Sequence, residues 1–100
     1  MSQKINAETL YESYEGLHNS TYDNQMVTVT GTVTYVGPDS YGLPSIEIGN
    51  PNDGKAWVIC VVSDFAGAQS GNQIEITGHA EGFTQGVVVL KHCTVDEVSD

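Results

Sequence analysis

A strict two-residue alternation over residues 26–36 constrains this chain more than any other feature. Val27, Val29, Gly31, Val33 and Tyr35 alternate with Thr28, Thr30, Thr32 and Thr34. Successive side chains of a strand point to opposite faces, and β-branched residues suit a half-buried pleated surface. The run therefore predicts a long strand with a valine face turned inward and a threonine face turned to water. Gly31 in its middle predicts a bend or bulge, which a small barrel needs where one long strand serves two sheet directions.

Four shorter strands follow. Residues 45–49 form the second, with Ile46 and Ile48 inward, and Asn50-Pro51-Asn52-Asp53-Gly54 is a strong hairpin turn. Residues 56–62 form the third, apolar on both faces: Val58, Cys60 and Val62 on one, Trp57, Ile59 and Val61 on the other. Such a strand is usually covered on both sides. Residues 63–72 are too polar and glycine-bearing for a strand; residues 64–68 predict one helical turn, with Phe65 plugging the barrel end. Residues 73–80 and 87–95 make the fourth and fifth strands, joined by a turn over residues 81–86 that carries Phe83. Ahead of the strands, residues 6–18 predict a short helix capped by Asn6, with Glu8 in its first turn and Leu10, Tyr14 and Leu17 on one packing face.

One hundred residues fit a single core. Five strands, a long bent first one and a non-strand link between the third and fourth predict an all-β, five-stranded OB-fold barrel with a short N-terminal α-helix. The expected division is helix and lead-in over 1–22, barrel over 23–96 and a frayed acidic tail over 97–100, all within one domain.

Net charge restricts the partners. Thirteen carboxylates face three lysines and no arginine, giving −10 at pH 7. Proteins that bind phosphate backbones gain affinity from Lys and Arg contacts that release counterions. Here the long-range field repels nucleic acid, and no guanidinium fork exists for bidentate phosphate or guanine contacts. Acidity also keeps a small domain soluble; beyond that it suits a basic partner surface, or mimicry of a nucleic acid's charge. No stretch reaches the ~18 consecutive apolar residues of a membrane span. Met1-Ser2-Gln3-Lys4-Ile5 lacks the apolar run of a secretory signal, so a cytoplasmic location is expected, or export if a leader has been removed.

The run from Tyr22 to Val33, a tyrosine-led turn followed by a strand of the form V-x-V-T-G-x-V, resembles the tRNA_anti-like OB-fold domains, small bacterial and phage-associated modules. Val58-Ile59-Cys60 is similar to that family's V-x-C in the third strand. The run from Gly71 to Gly78 is similar to its G-[DN]-x-V-x-[VI]-x-G, and Val88-Val89-Leu90-Lys91-His92-Cys93 to its closing V-x-L-x-x-C. The resemblance covers residues 8–95, and order and spacing carry it rather than any single motif. It implies nucleic-acid binding by analogy with anticodon-binding domains, although fold does not fix function.

Cys60 and Cys93 are the only cysteines. The third and fifth strands of an OB barrel lie side by side in parallel, so the pair is expected either as a disulfide or as two buried thiols acting as small hydrophobes. His79, Glu81, His92 and Cys93 lack zinc-type spacing, and the hairpin is expected to set His79 far from His92, so neither metal nor cofactor is expected. There is no G-x-S-x-G, no Walker-type loop and no cysteine–histidine hydrolase signature, so catalysis is not expected.

The aromatic residues carry the functional reading. Tyr41 lies in the loop between the first two strands and Phe83 between the last two, flanking the usual OB ligand face. Trp57 and Ile59 belong to the outer side of the third strand, with burial of Trp57 beneath the N-terminal helix as the competing structural reading. Aromatic platforms stack bases, at ~1–3 kcal/mol each, and also anchor protein interfaces. The leading expectation is a non-catalytic module binding a basic or apolar protein surface through Tyr41, Trp57, Ile59 and Phe83. One alternative is single-stranded nucleic-acid binding supported by Lys55 and Lys91. Another is an acidic phage-type inhibitor that occupies a host protein's nucleic-acid groove.

Overall fold

The computed structural model describes residues 3–14 and 22–100. Its elements run β1 (Gln3–Asn6), α1 (Ala7–Glu12), β2 (Met26–Pro38), β3 (Pro44–Gly49), β4 (Ala56–Val62), β5 (Gln73–Thr84) and β6 (Val87–Ser99). The alternation of β2 sorts its side chains as expected up to Val33, with Val27, Val29 and Val33 buried, but an irregularity between Val33 and Tyr35 leaves Tyr35 exposed and packs Val36 against the core. Thr28 is buried too, its hydroxyl 2.8 Å from that of Thr77 on β5.

Strand β2 is long enough to serve two sheet directions. Residues 26–32 pair antiparallel with β5, and residues 32–38 pair antiparallel with β3. The circuit then passes from β3 to β4, from β4 to β6 in parallel, and from β6 to β5, which returns to β2. This closes a five-stranded barrel of the OB type. Gly31 sits where β2 turns from one direction to the other. A Cβ there would lie 2.5 Å from Cγ2 of Ile48 and 3.3 Å from Cβ of Ala7, so the glycine lets the wall approach the core closely.

Where β3 leaves the edge of β2, β1 fills the space, pairing in parallel with Gln3 opposite Val27 and Asn6 opposite Thr30. No strand is expected there from sequence. Chain direction then reverses into α1. The Asn6 side chain accepts a hydrogen bond from the Glu8 N–H at 2.8 Å, the expected cap. The helix stops at Glu12, well short of residue 18, and Leu17 lies outside the described residues. Leu10 and Tyr14 are fully buried among the valines and isoleucines of the barrel, so this segment packs into the core.

Three further expectations are corrected. The fourth strand continues through Phe83 to Thr84, leaving a two-residue turn at Gln85-Gly86, both with positive φ (51° and 83°). That is the type I′ geometry whose twist matches a hairpin. The acidic tail over 97–100 does not fray: β6 runs to Ser99, and Glu97 stands opposite Glu75, whose carboxylate is paired with Lys4 at 2.8 Å. Residues 64–68 form a turn, not a helix, closed by Ala68 N–H donating to the Phe65 carbonyl at 3.0 Å, and Phe65 packs against the core.

A bulge shapes β6. Thr77 pairs with Thr94 and His79 with Lys91, so Gly78 faces the two residues His92 and Cys93. Lys91 and His92 both point outward, and Cys93 returns to the interior. His92 takes the left-handed conformation, φ 54°, which costs a side-chain-bearing residue roughly 1–2 kcal/mol. His92→Gly is therefore expected to raise the unfolding free energy by about 1 kcal/mol after glycine's own entropy cost. Urea titration of the two proteins, at unchanged slope, measures it; an unchanged or lower midpoint contradicts the expectation.

Candidate functional site

The inner side of β4 carries Val58, Cys60 and Val62, all buried, so alternation sends Trp57, Ile59 and Val61 outward. Pairing registers extend the outward row across four strands: Tyr35 stands opposite Glu47, Glu47 opposite Ile59, and Ile59 opposite Val89. Glu47, Ile59 and Val89 of this row, together with Val61 and Val87, floor a groove of about 370 Å³ on the outside of the barrel. Its walls are the loop of residues 39–43 and the tip of the β5–β6 hairpin at Thr84 and Gln85. The apolar outer face of β4 is thus the floor of a groove open to solvent.

The loop wall is built to hold one shape. Oδ1 of Asp39 accepts from the N–H groups of Tyr41 at 2.8 Å and Leu43 at 2.9 Å. Asp39 N–H donates to the Leu43 carbonyl at 2.8 Å, and Gly42, at φ 81°, completes the turn. The Ser45 hydroxyl anchors the far end on the Leu43 carbonyl at 3.1 Å. This network leaves Tyr41 79% exposed and Leu43 43% exposed at the groove's edge. A large aromatic held in water by a rigid loop covers nothing of its own fold, which is how a contact residue is presented.

Charge is distributed unevenly across the groove. Asp39 and Glu47 lie on the β2–β3 side and Lys91 on the β6 side. Burial against the apolar floor raises the Glu47 carboxyl above its ordinary range, and no neighbouring cation offsets the effect. The other two lysines are engaged elsewhere: Lys4 pairs with Glu75, and the Lys55 ammonium lies 5.0 Å from the ring centroid of Tyr11.

Of the four residues singled out from sequence, Tyr41 and Ile59 come together in this groove. Trp57 shares the strand face of Ile59 by alternation, but it packs against the core and is not part of the groove lining. Phe83 lies outside the groove: its ring stacks on the buried Tyr14 at 5.8 Å and 17°, and meets Tyr11 at 5.8 Å and 56°. Tyr14 in turn donates its hydroxyl to the Asp23 carboxylate. The groove also contains Glu47, Leu43, Val87 and Val89, which no sequence signal marks as functional.

Cys60 and Cys93 are both buried free thiols on the paired strands β4 and β6. Hydrogen bonding to Cys93, followed by burial, pushes the Cys60 thiol well above its usual range, which suits a small core hydrophobe and not a nucleophile. His79 bonds the Glu81 carboxylate through Nδ1. The expected separation of His79 from His92 is corrected: the longer hairpin sets His79 opposite Lys91, the residue before His92. Among the described residues no group of three or more His, Cys, Asp and Glu side chains could hold a metal ion, and no helix is long and apolar enough to cross a membrane.

A closed five-stranded barrel with a groove across its outer face, between the first inter-strand loop and the last hairpin, defines an OB-fold protein. The chain belongs to the tRNA_anti-like family, whose family model matches residues 1–94. No curated protein matches it.

Proposed function

We propose that this protein is a non-catalytic binding module that takes a segment of another protein in the groove over β3, β4 and β6. The observation that carries the reading is a floor of Ile59, Val61, Val87 and Val89, edged by two carboxylates, in a chain of net charge −10. Aliphatic side chains gain ~25 cal/mol for each Å² removed from water, whichever partner covers them. The rim decides the class of partner. A polyanion would meet one lysine there, and a single phosphate contact gives a salt slope of only about −0.7 for a single strand. That is too little to offset repulsion from the rest of the surface.

Truncating the groove tests the reading. The combined variant Tyr41→Ala, Ile59→Ser is expected to weaken partner capture about 30-fold or more, as loss of an interface anchor does. Tyr41 supports no other part of the fold, while Ile59→Ser removes half-buried surface from β4 and lowers the melting temperature, so capture is compared at a temperature where both proteins are folded. Equal capture by the variant contradicts the proposal. Oligonucleotide binding is the second reading, favoured by the family's likeness to anticodon-binding domains and by Tyr41 and Lys91 lining the same groove on the usual OB face. It requires an anisotropy change with oligothymidylate at low salt that fades as salt is added.

A further inference from the structure

Glu47 is a half-buried carboxylate on the groove floor that the free protein leaves without a counter-charge. Its carboxylate takes part in neither of the ion pairs among the described residues. Asp39 differs, since its oxygen is committed to the loop's own N–H groups. Glu47 sits beside aliphatic surface, and that burial makes its ionised form costly. A hydrated surface position would avoid this cost; an incoming cation would offset it.

Resting on the protein-binding reading, we propose that the groove's occupant is an extended polypeptide segment with a lysine or arginine that pairs with Glu47 and an aliphatic residue two positions away that lies on Ile59 and Val89. The spacing follows from the sheet. Neighbouring strands are about 4.8 Å apart, so Ile59 and Val89 stand about 5 and 10 Å from Glu47 across the row. Side chains two apart on an extended segment are separated by about 7 Å and face the same way, which brings the cation to Glu47 and the aliphatic group between the other two. Lys91 at the β6 side fixes the direction, because a basic residue there would be repelled. Arginine suits the position best: its fork can hold both carboxylate oxygens while its stem covers Ile59.

The test uses two peptides, acetyl-Arg-Ser-Val-Ser-amide and the same peptide with citrulline, the uncharged isostere, in place of arginine. Each is titrated into ¹⁵N-labelled protein while the amide signals of Tyr41, Glu47, Ile59 and Val89 are followed. The arginine peptide is expected to bind at least tenfold more tightly than the citrulline peptide, and the preference should vanish in Glu47→Gln. That variant also has a stability readout. A carboxyl raised by the fold holds its proton more tightly folded than unfolded, so its ionised form costs stability at neutral pH and not in acid. Glu47→Gln should therefore melt higher than wild type at pH 7, with the gap closing as pH falls through the carboxylate range. Equal binding of the two peptides at these residues would overturn the role of Glu47 and leave the apolar groove standing. An arginine preference that persists in Glu47→Gln would overturn it equally. If neither peptide moves these signals and oligothymidylate does, the protein-binding reading fails along with this one.

Discussion

Gly49→Ala is expected to lower the unfolding free energy by about 3 kcal/mol, at the upper end of what one added methyl group costs. A Cβ at this position would lie 2.1 Å from the Lys55 carbonyl oxygen, 2.8 Å from its carbon and 2.9 Å from Cα of Ala56. All three are backbone atoms, and the oxygen is fixed by the Asn50 N–H at 2.8 Å, the bond that closes the β3–β4 hairpin. Nothing there can rotate aside, so the register of β3 on β4 must shift. Two other glycines calibrate the effect. At Gly31 the closest atom is the Cγ2 methyl of the buried Ile48, so a Cβ there displaces a core side chain and not the backbone of a hairpin. At Gly54 there is open space but φ is 76°, so alanine costs about 1 kcal/mol from conformation alone. Urea unfolding of the three alanine variants should rank Gly49 as the most damaging. A loss below about 1 kcal/mol at Gly49 would mean that the hairpin is slack.

Phe83→Ala should cost about 3 kcal/mol of stability and leave the groove's affinity for its partner unchanged per folded molecule. The ring stacks on Tyr14, which is fully buried, and tilts against Tyr11 of α1, so its removal opens a cavity between the helix segment and β5. Aromatic pairs of this kind add ~0.5–1.5 kcal/mol beyond burial itself. Tyr41→Ala should do the reverse, weakening capture with a stability change within about 0.5 kcal/mol, since most of the side chain is already in water. Thermal melts and capture on the same samples separate the two effects. Loss of capture by Phe83→Ala at temperatures where it is fully folded would return Phe83 to the site.

The sequence reveals the barrel where one residue pattern has one structural solution. Over residues 27–34 strand β2 has β-branched residues on both faces but apolar ones on only one, and β4 matches its expected span at both ends because seven consecutive apolar residues stand between two polar turns. β1 escapes notice because Gln3-Lys4-Ile5-Asn6 has a single apolar residue; it is a strand only because β2 offers a free edge after β3 has turned away. Residues 97–100 read as a solvated tail because local charge gives no sign that β5 supplies a partner strand and Lys4 a counter-charge.

The site divides in the same way. Tyr41 is legible because a tyrosine amid Asp, Ser, Gly and Pro has no core to enter. Phe83 is misjudged because a phenylalanine beside Gly82 and Thr84 looks like a turn residue until β6 is paired against it. Glu47 is passed over because its outward position on an alternating strand looks ordinary; only the cross-strand register reveals the aliphatic neighbours that make its charge unusual.

Hydrogen exchange of the free protein and of the protein with its captured partner is the most direct test of where binding occurs. Occupancy of the groove predicts added protection at residues 39–43, along the outer row of Glu47, Ile59 and Val89, and at the Gln85-Gly86 tip, with α1 and the β2–β5 pairing unchanged. Protection concentrated instead on the threonine face of β2 and β5, with residues 39–43 still exchanging freely, would contradict it.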